Sequence, residues 1–298
     1  MPAWFRSLRP RQWAKNLVVF AGLVFGGLAE DTTAIWRAVA AFALFSALSS
    51  AVYLLNDVLD HERDRLHPFK RHRPIAAGTF APGAALALAA ALAAAALAGA
   101  ALLGWRVLSI FAGYLALQVL YGLRLKHVVI LDVFCIAAGF LLRVVAGVFA
   151  VGAELSPWLV ACSVQLALFL ALCKRRAEAT ALGEGDAAQR PALSAYAGPA
   201  TDLMVSVVAS ATLVTYTLYT LLPGEILEPS APALASKAGR PGMIWTLPFV
   251  LYGILRYLYL VYGQARGERP ERLLTGDRPL LLAVLGFGAV AGAVIYAG

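Results

Sequence analysis

"AVYLLNDVLDHERDRLHPFKRHRPIAAG", residues 51–78, runs from an apolar segment through a knot of acids into a knot of bases. Such an abrupt change marks the edge of a barrier, and the rest of the chain shows which one. Hydrophobic residues make up 61% of the 298, charged residues only 14%, and the mean hydropathy is +0.75. Apolar stretches of about twenty residues are long enough to cross a hydrocarbon core of roughly 30 Å as helices. They recur at 16–30, 36–55, 82–104, 107–123, 128–150, 156–173, 200–222, 243–262 and 279–297. The expected fold is therefore all-α: a single integral-membrane domain over 1–298, a polytopic helical bundle of about nine transmembrane helices. The first stretch lacks a clear small-residue cleavage site and is expected to stay as a span.

The net charge of +8 is unevenly spread. With nine spans and a cytoplasmic N-terminus, the N-terminal segment and loops 56–81, 124–127, 174–199 and 263–278 share one side. Those segments hold most of the 25 Lys and Arg, whereas Arg37, Arg106, Lys237 and Arg240 fall on the other side. The positive-inside rule then predicts a multi-pass protein of the cell (inner) membrane with its N-terminus and charged site facing the cytoplasm. The bases gather mainly at one membrane face, and no nucleic-acid partner is expected. Trp4, Phe5, Leu8 and Trp13 alternate with Arg6, Arg9 and Arg11, a pattern that suits an interfacial helix on anionic lipid.

Asn56, Asp57, Asp60 and Asp64 fall at the cytoplasmic end of the second stretch. If the helix continues, Asn56, Asp60 and Asp64 recur every four residues on one face, with Asp57 beside them. Carboxylates on adjacent turns repel unless a cation neutralises them. All-oxygen ligands favour Mg²⁺, which commonly binds one or two carboxylates plus substrate phosphates. The cluster thus reads as a diphosphate-magnesium clamp, against the plainer reading of a solvated helix end pairing with Arg63 and Arg65. Lys70, Arg71 and Arg73 follow at once and offer fixed cations for phosphate oxygens, though a topogenic loop alone would also be basic. Tyr53 lies one turn deeper and suits either stacking on a substrate or an interfacial position. Arg143 lies about three helical turns past Asp132 in the fifth stretch. A charge so deep is a functional-site hypothesis by default, either drawing a lipid phosphate or pairing with a carbonyl or buried acid. Arg256, nearer its span's end, is expected to snorkel. Cys135, Cys162 and Cys173 lack metal-site spacing, and His61, His67, His72 and His127 form no zinc constellation.

"NDVLDHERDRLHPFKRHRPIAAG" resembles the first signature, NDxxDxxxD, of the UbiA superfamily of intramembrane prenyltransferases, which binds Mg²⁺ and a diphosphate substrate. Ordinary members of that family carry a second acidic motif, DxxxD, in the loop after the sixth span; here the loop reads "KRRAEATALGEGDAAQR". "LRPRQWAKN" (8–16), "YGLRLKHVVILDVFCIAAGFLLR" (121–143) and "CKRRAE" (173–178) resemble the decaprenyl-phosphate phosphoribosyltransferase branch through about residue 180. That resemblance implies transfer of 5-phosphoribose from phosphoribosyl pyrophosphate to a polyprenyl phosphate, with release of diphosphate, for cell-wall arabinan precursors. By motif match, Lys15, Tyr53, Lys70 and Lys126 would contact the donor and Asn56 and Asp60 would hold Mg²⁺. Both reactants are anionic, so a site with Lys15, Lys70, Arg71, Arg73, Lys126, Lys174 and Arg175 at one face has a physical use for each cation. Asp57, Asp60 and Asp64 are the expected catalytic carboxylates, and Arg143 is counted with the substrate-binding residues. The competing readings are an aromatic prenyltransferase using a polyprenyl diphosphate and a non-catalytic lipid transporter. The oligomeric state, homo-oligomer included, leaves no trace in the sequence.

Overall fold

A computed structural model describes residues 2–66, 70–181, 191–222, 241–264, 273 and 276–296. His67, Lys237, Arg240 and most of the loop in which a second acidic motif would stand lie outside the described residues. Eight helices among those described are long and apolar enough to cross a membrane. They are α1 (Thr32–Leu59), α2 (Pro82–Leu103), α3 (Trp105–Leu123), α4 (Leu131–Ala150), α5 (Pro157–Thr180), α6 (Pro199–Leu221), α7 (Leu247–Gly263, whose span starts in a 3-10 turn at Gly242) and α8 (Arg278–Tyr296). Asp31 caps α1 by accepting the N–H groups of Thr33 and Ala34, and proline opens α2, α5 and α6. Both are standard starts, since the first-turn N–H groups have no partner within the helix.

The stretch expected at 16–30 is not among the eight. Pro10–Phe20 winds as a 3-10 helix, Ala21–Phe25 as a short α-helix, and Gly27 ends the run at φ 66. At about 2.0 Å per residue and then 1.5 Å, Pro10–Phe25 extends roughly 30 Å. It lies antiparallel to α1 along its whole length. Arg9 meets Asp57, Trp13 meets Ser50, Asn16 meets Ser46 and Ser49, Phe20 meets Phe42, and Leu23 packs with Ala34 and Ala38. The segment is thus as long as a span and follows one, in a tighter winding than its hydropathy suggested.

The chain divides into two compact units, with α4 contributing residues to each. The first comprises residues 1–23, 28–123 and 142–154. Its core is Phe45, Leu48, Phe111 and Tyr114 with the second half of α4, and the Phe45 ring stands edge-on to Phe111 and Tyr114 at 4.8 and 4.7 Å between centroids. The Ala-rich α2 buries Ala85, Ala89, Ala96 and Ala100, and so lies close against its neighbours. A Cβ on Gly147 would stand 1.8 Å from the Val19 carbonyl oxygen, and one on Gly22 would stand 2.6 Å from Val148 Cα. Small residues allow this approach, the usual device of packing within lipid. Arg37 donates to the carbonyls of Ala150 (2.5 Å) and Leu103 (2.8 Å), tying the C-terminal ends of α4 and α2 to one cation.

The second unit comprises residues 24–27, 124–141 and 155–298. Its core joins the first half of α4, α5, α6 and α7 around Phe169, Tyr196, Tyr257 and Leu260. Arg256, toward the end of α7, forms a two-pronged pair with Asp277 at 3.1 and 2.8 Å.

Gly147→Val should abolish the folded first unit, read as loss of a monodisperse species in detergent. Arg37→Ala removes two charge-assisted bonds at helix ends, a cost of about 2–4 kcal/mol, and should lower the apparent melting temperature by several degrees without changing secondary structure.

Candidate active site

The polar face of α1 is the backbone of the first unit's chemistry. Ser46, Ser49, Ser50, Tyr53 and Asp57 follow one another at helical spacing, and the Pro10–Phe25 segment supplies their partners. Asn16 Nδ2 donates to the hydroxyls of Ser46 and Ser49 at 3.1 and 3.0 Å, and Trp13 Nε1 donates to Ser50 Oγ at 3.0 Å. Arg143, only 5% exposed, donates to Asn16 Oδ1 and to the Tyr114 hydroxyl, each at 2.8 Å. Its guanidinium lies over the rings of Phe45 and Tyr114 at 5.4 and 4.8 Å. Among these partners are an amide, a phenol and two aromatic faces. Asp132 belongs to a separate network in the second unit.

At the charged end of α1 the helix is interrupted for one residue at Asp60 (φ −97, ψ 2) and resumes over His61–Leu66. Asp57 and Asp64, both 3% exposed, are held together by a shared cation rather than by a continuous helical row. Arg73 Nη1 donates to Asp57 Oδ1 at 3.0 Å and to Asp64 Oδ2 at 2.6 Å. Arg9 Nη2 reaches Asp57 Oδ1 at 2.5 Å, and Lys70 Nζ lies 4.0 Å from Asp64 Oδ1. The Arg9 guanidinium also covers the Tyr53 ring at 5.1 Å. The sequence "RPIAAG" explains how Arg73 is aimed. Ile75 is buried with Leu8, Leu54 and Ala85, the N–H groups of Thr79 and Phe80 donate to the Pro74 carbonyl, and Gly78 takes φ 75. The turn is therefore anchored by one apolar side chain, with its arginine facing the carboxylates. The N-terminal segment is drawn in the same way: a short Ala3–Ser7 helix leads to Leu8, which packs on α1, while Trp4 stays exposed.

Asp60, Asn56, Lys15 and Lys126 are half-buried and Arg71 is exposed. Asn56 Oδ1 lies close against Gly122, where a Cβ would stand 2.9 Å away. Among the described residues no three His, Cys, Asp or Glu side chains converge as a ready metal cage. Two carboxylates converging on one cation are nonetheless the donor set Mg²⁺ uses, with substrate phosphate and water completing its shell. Arg73 Nη1 shows that both carboxylates reach a single positive centre, so the residues present fit the ion.

In the second unit, Asp132 stands in the first turn of α4 and is 3% exposed. Its Oδ2 lies 2.7 Å from Arg175 Nε, and its Oδ1 accepts a short hydrogen bond from the Tyr196 hydroxyl. The same hydroxyl accepts the Ile130 N–H at 2.7 Å. Burial, with the Asp132 carboxylate beside it, pushes the Tyr196 phenol well above its ordinary pKa, so it remains a donor. Ile130 has φ 70, a left-handed backbone that costs a β-branched residue about 1–3 kcal/mol. Lys174 and Arg175, expected to grip phosphate, and their neighbour Arg176 are paired with acids. Arg175 also meets Glu178 at 2.5 Å, Lys174 lies 3.5 Å from Glu178, and Arg176 is 2.7 Å from Asp202.

Sequence reasoning passed over Arg9, Asn16, Tyr114 and Tyr196. The repeat "SALSSAVYLLND" was a legible signal for the first two, because polar residues at three- and four-residue spacing inside a span call for partners. Nothing local pointed to Tyr196, which is 64 residues from Asp132.

Residues 17–276 match the UbiA prenyltransferase family. The chain is 34% identical over 295 residues to the decaprenyl-phosphate phosphoribosyltransferase of Mycolicibacterium smegmatis, covering 98% of this chain and 92% of that protein. The enzyme of the same description from Corynebacterium glutamicum is 33% identical over 285 residues, covering 94% and 82%. A UbiA homolog from Archaeoglobus fulgidus, solved with DMAPP and Mg²⁺, superposes with a TM-score of 0.71 at 21% identity, covering 98% of both chains, which speaks for the fold. The chain, an all-α multi-pass membrane transferase, belongs to the UbiA prenyltransferase family, in the branch of the decaprenyl-phosphate phosphoribosyltransferases.

Proposed function

We propose that this protein transfers 5-phosphoribose from phosphoribosyl pyrophosphate to a polyprenyl phosphate such as decaprenyl phosphate and releases diphosphate, supplying cell-wall arabinan precursors. The observation that carries the reading is the buried Asp57–Asp64 pair ringed by Arg9, Lys70 and Arg73. A site with so many cations around two acids suits a donor bearing a diphosphate and a separate phosphate, and an acceptor that is itself a phosphate. The names of the relatives that match over nearly the full chain support the same substrates.

Asp57 and Asp64, with Asn56 and Asp60 of the same motif, would hold Mg²⁺, which when bound neutralises charge on the departing diphosphate. Arg73 and Lys70, beside these carboxylates, would take donor oxygens. Arg9, stacked on Tyr53, closes the opposite side and pairs with Asp57. Lys15 and Lys126 contact the donor in this reading, with Arg71 at the rim. The acceptor phosphate, with a second pKa near 6, is largely dianionic at neutral pH and needs no strong general base. Charge stabilisation and alignment are thus the main tasks left to the protein. Arg143, held by Asn16 and Tyr114 deep in the first unit, is suited to drawing the lipid phosphate inward. The site faces the cytoplasm of the inner membrane in this reading, because the basic segments share that side.

Purified protein incubated with Mg²⁺, labelled phosphoribosyl pyrophosphate and decaprenyl phosphate should move label into the lipid phase. Label transferred only from a prenyl diphosphate to an aromatic acid would overturn the assignment. Asp57→Asn should lower kcat by about a hundredfold or more, and calorimetry should show weakened Mg²⁺-dependent donor binding. Orientation has a separate check. An impermeant maleimide on intact cells should label Glu154→Cys and leave Thr79→Cys unmodified until the membrane is opened.

A further inference from the structure

We propose that Tyr196 is a positioning residue of the transfer reaction, its hydroxyl setting the turn that presents Lys126. The inference rests on the reading above, in which Lys126 contacts the phosphorylated donor. Lys126 sits in a 3-10 turn, Leu125–His127, which continues through Val128 and Val129 to Ile130. The side chains of His127, Val128, Val129 and Ile130 are exposed, so apolar burial contributes little to holding this stretch in place. Backbone bonds close it locally: Val128 N–H to Leu125 O, Asp132 N–H to Val128 O, and the N–H groups of Val133 and Phe134 to Ile130 O.

The turn nevertheless ends on Ile130 in a left-handed conformation that an isoleucine ordinarily avoids. Such a geometry persists where the surroundings over-determine it, and the Ile130 N–H, given to the Tyr196 hydroxyl at 2.7 Å, identifies what does so. Tyr196 is fully buried within the second unit's core, so its hydroxyl occupies a fixed point. That oxygen has one hydrogen, which it gives to Asp132, leaving lone pairs for Ile130. Arg175 in turn orients the Asp132 carboxylate from the other side. The order Arg175, Asp132, Tyr196, Ile130 thus runs from α5 to the backbone of the Lys126 turn, through one ion pair and two hydrogen bonds of assigned direction. Arg175, counted from the sequence among the phosphate-binding cations, acts here through Asp132.

The test uses the full chain in lipid nanodiscs. Tyr196→Phe keeps the ring, and hence the core volume, while removing the hydroxyl. It should raise KM for phosphoribosyl pyrophosphate about tenfold with kcat changed less than about twofold. Amide exchange across residues 125–133 should accelerate about tenfold, with 167–173 of α5 unchanged. Adding Ile130→Gly supplies a residue at ease with φ 70, so the double variant should recover part of the lost donor affinity. Unchanged exchange in Tyr196→Phe, or a double variant as impaired as the single, overturns the proposal. Wild-type protein that binds no phosphoribosyl pyrophosphate would overturn the donor assignment instead, and the exchange measurement would still decide whether Tyr196 sets the turn.

Discussion

Helix α1 carries hydroxyls, an amide and a carboxylate down one face of a segment otherwise apolar enough to lie in hydrocarbon, and such groups are costly there without partners. The pairing of that face with Pro10–Phe25 is the interaction on which the first unit depends. Asn16, Trp13 and Arg9 answer successive levels of the stripe, and Arg143 answers Asn16. The 3-10 winding of the partner segment suits this task, since a longer rise per residue lets few residues follow a long helix. Glycine at 147 and 22 lets α4 approach the same segment at backbone distance. Packing, polar satisfaction and the placing of Arg9 on Asp57 are therefore one arrangement.

The two units handle charge differently. In the first, two carboxylates share one guanidinium and leave Arg9, Lys70 and Arg73 around them, an arrangement that can be redistributed when a more highly charged guest arrives. In the second, Lys174, Arg175 and Arg176 are each matched by Glu178, Asp132 or Asp202. Of these, Arg175–Asp132 is the buried pair, and a pair of that kind is expensive to break, because removing one partner strands the other. The first network suits exchange of partners and the second suits holding a shape.

Much of this was legible in the sequence where the signal is local. Hydropathy located the helices within a few residues, and the family motif marked the end of α1. The winding of residues 10–25 was not legible, because apolar content says how long a segment can stay in lipid but not how it coils against a polar neighbour. The sharing of Arg73 by Asp57 and Asp64 was not legible, because the cation comes from a separate turn sixteen and nine residues further along the chain. The pairing of Arg175 with Asp132 joins residues 43 apart, and the Tyr196 contact spans 64. Such contacts follow from helix packing, which one sequence does not display.

Helices α2 and α3 are separated by Gly104 alone, at φ 133, a conformation that requires the absence of a side chain. A reversal this tight leaves no loop to be threaded across the bilayer by itself. The two helices must enter the membrane together as a hairpin during synthesis, and an engineered tag, glycan or cleavage sequence would find no slack at that corner of the molecule.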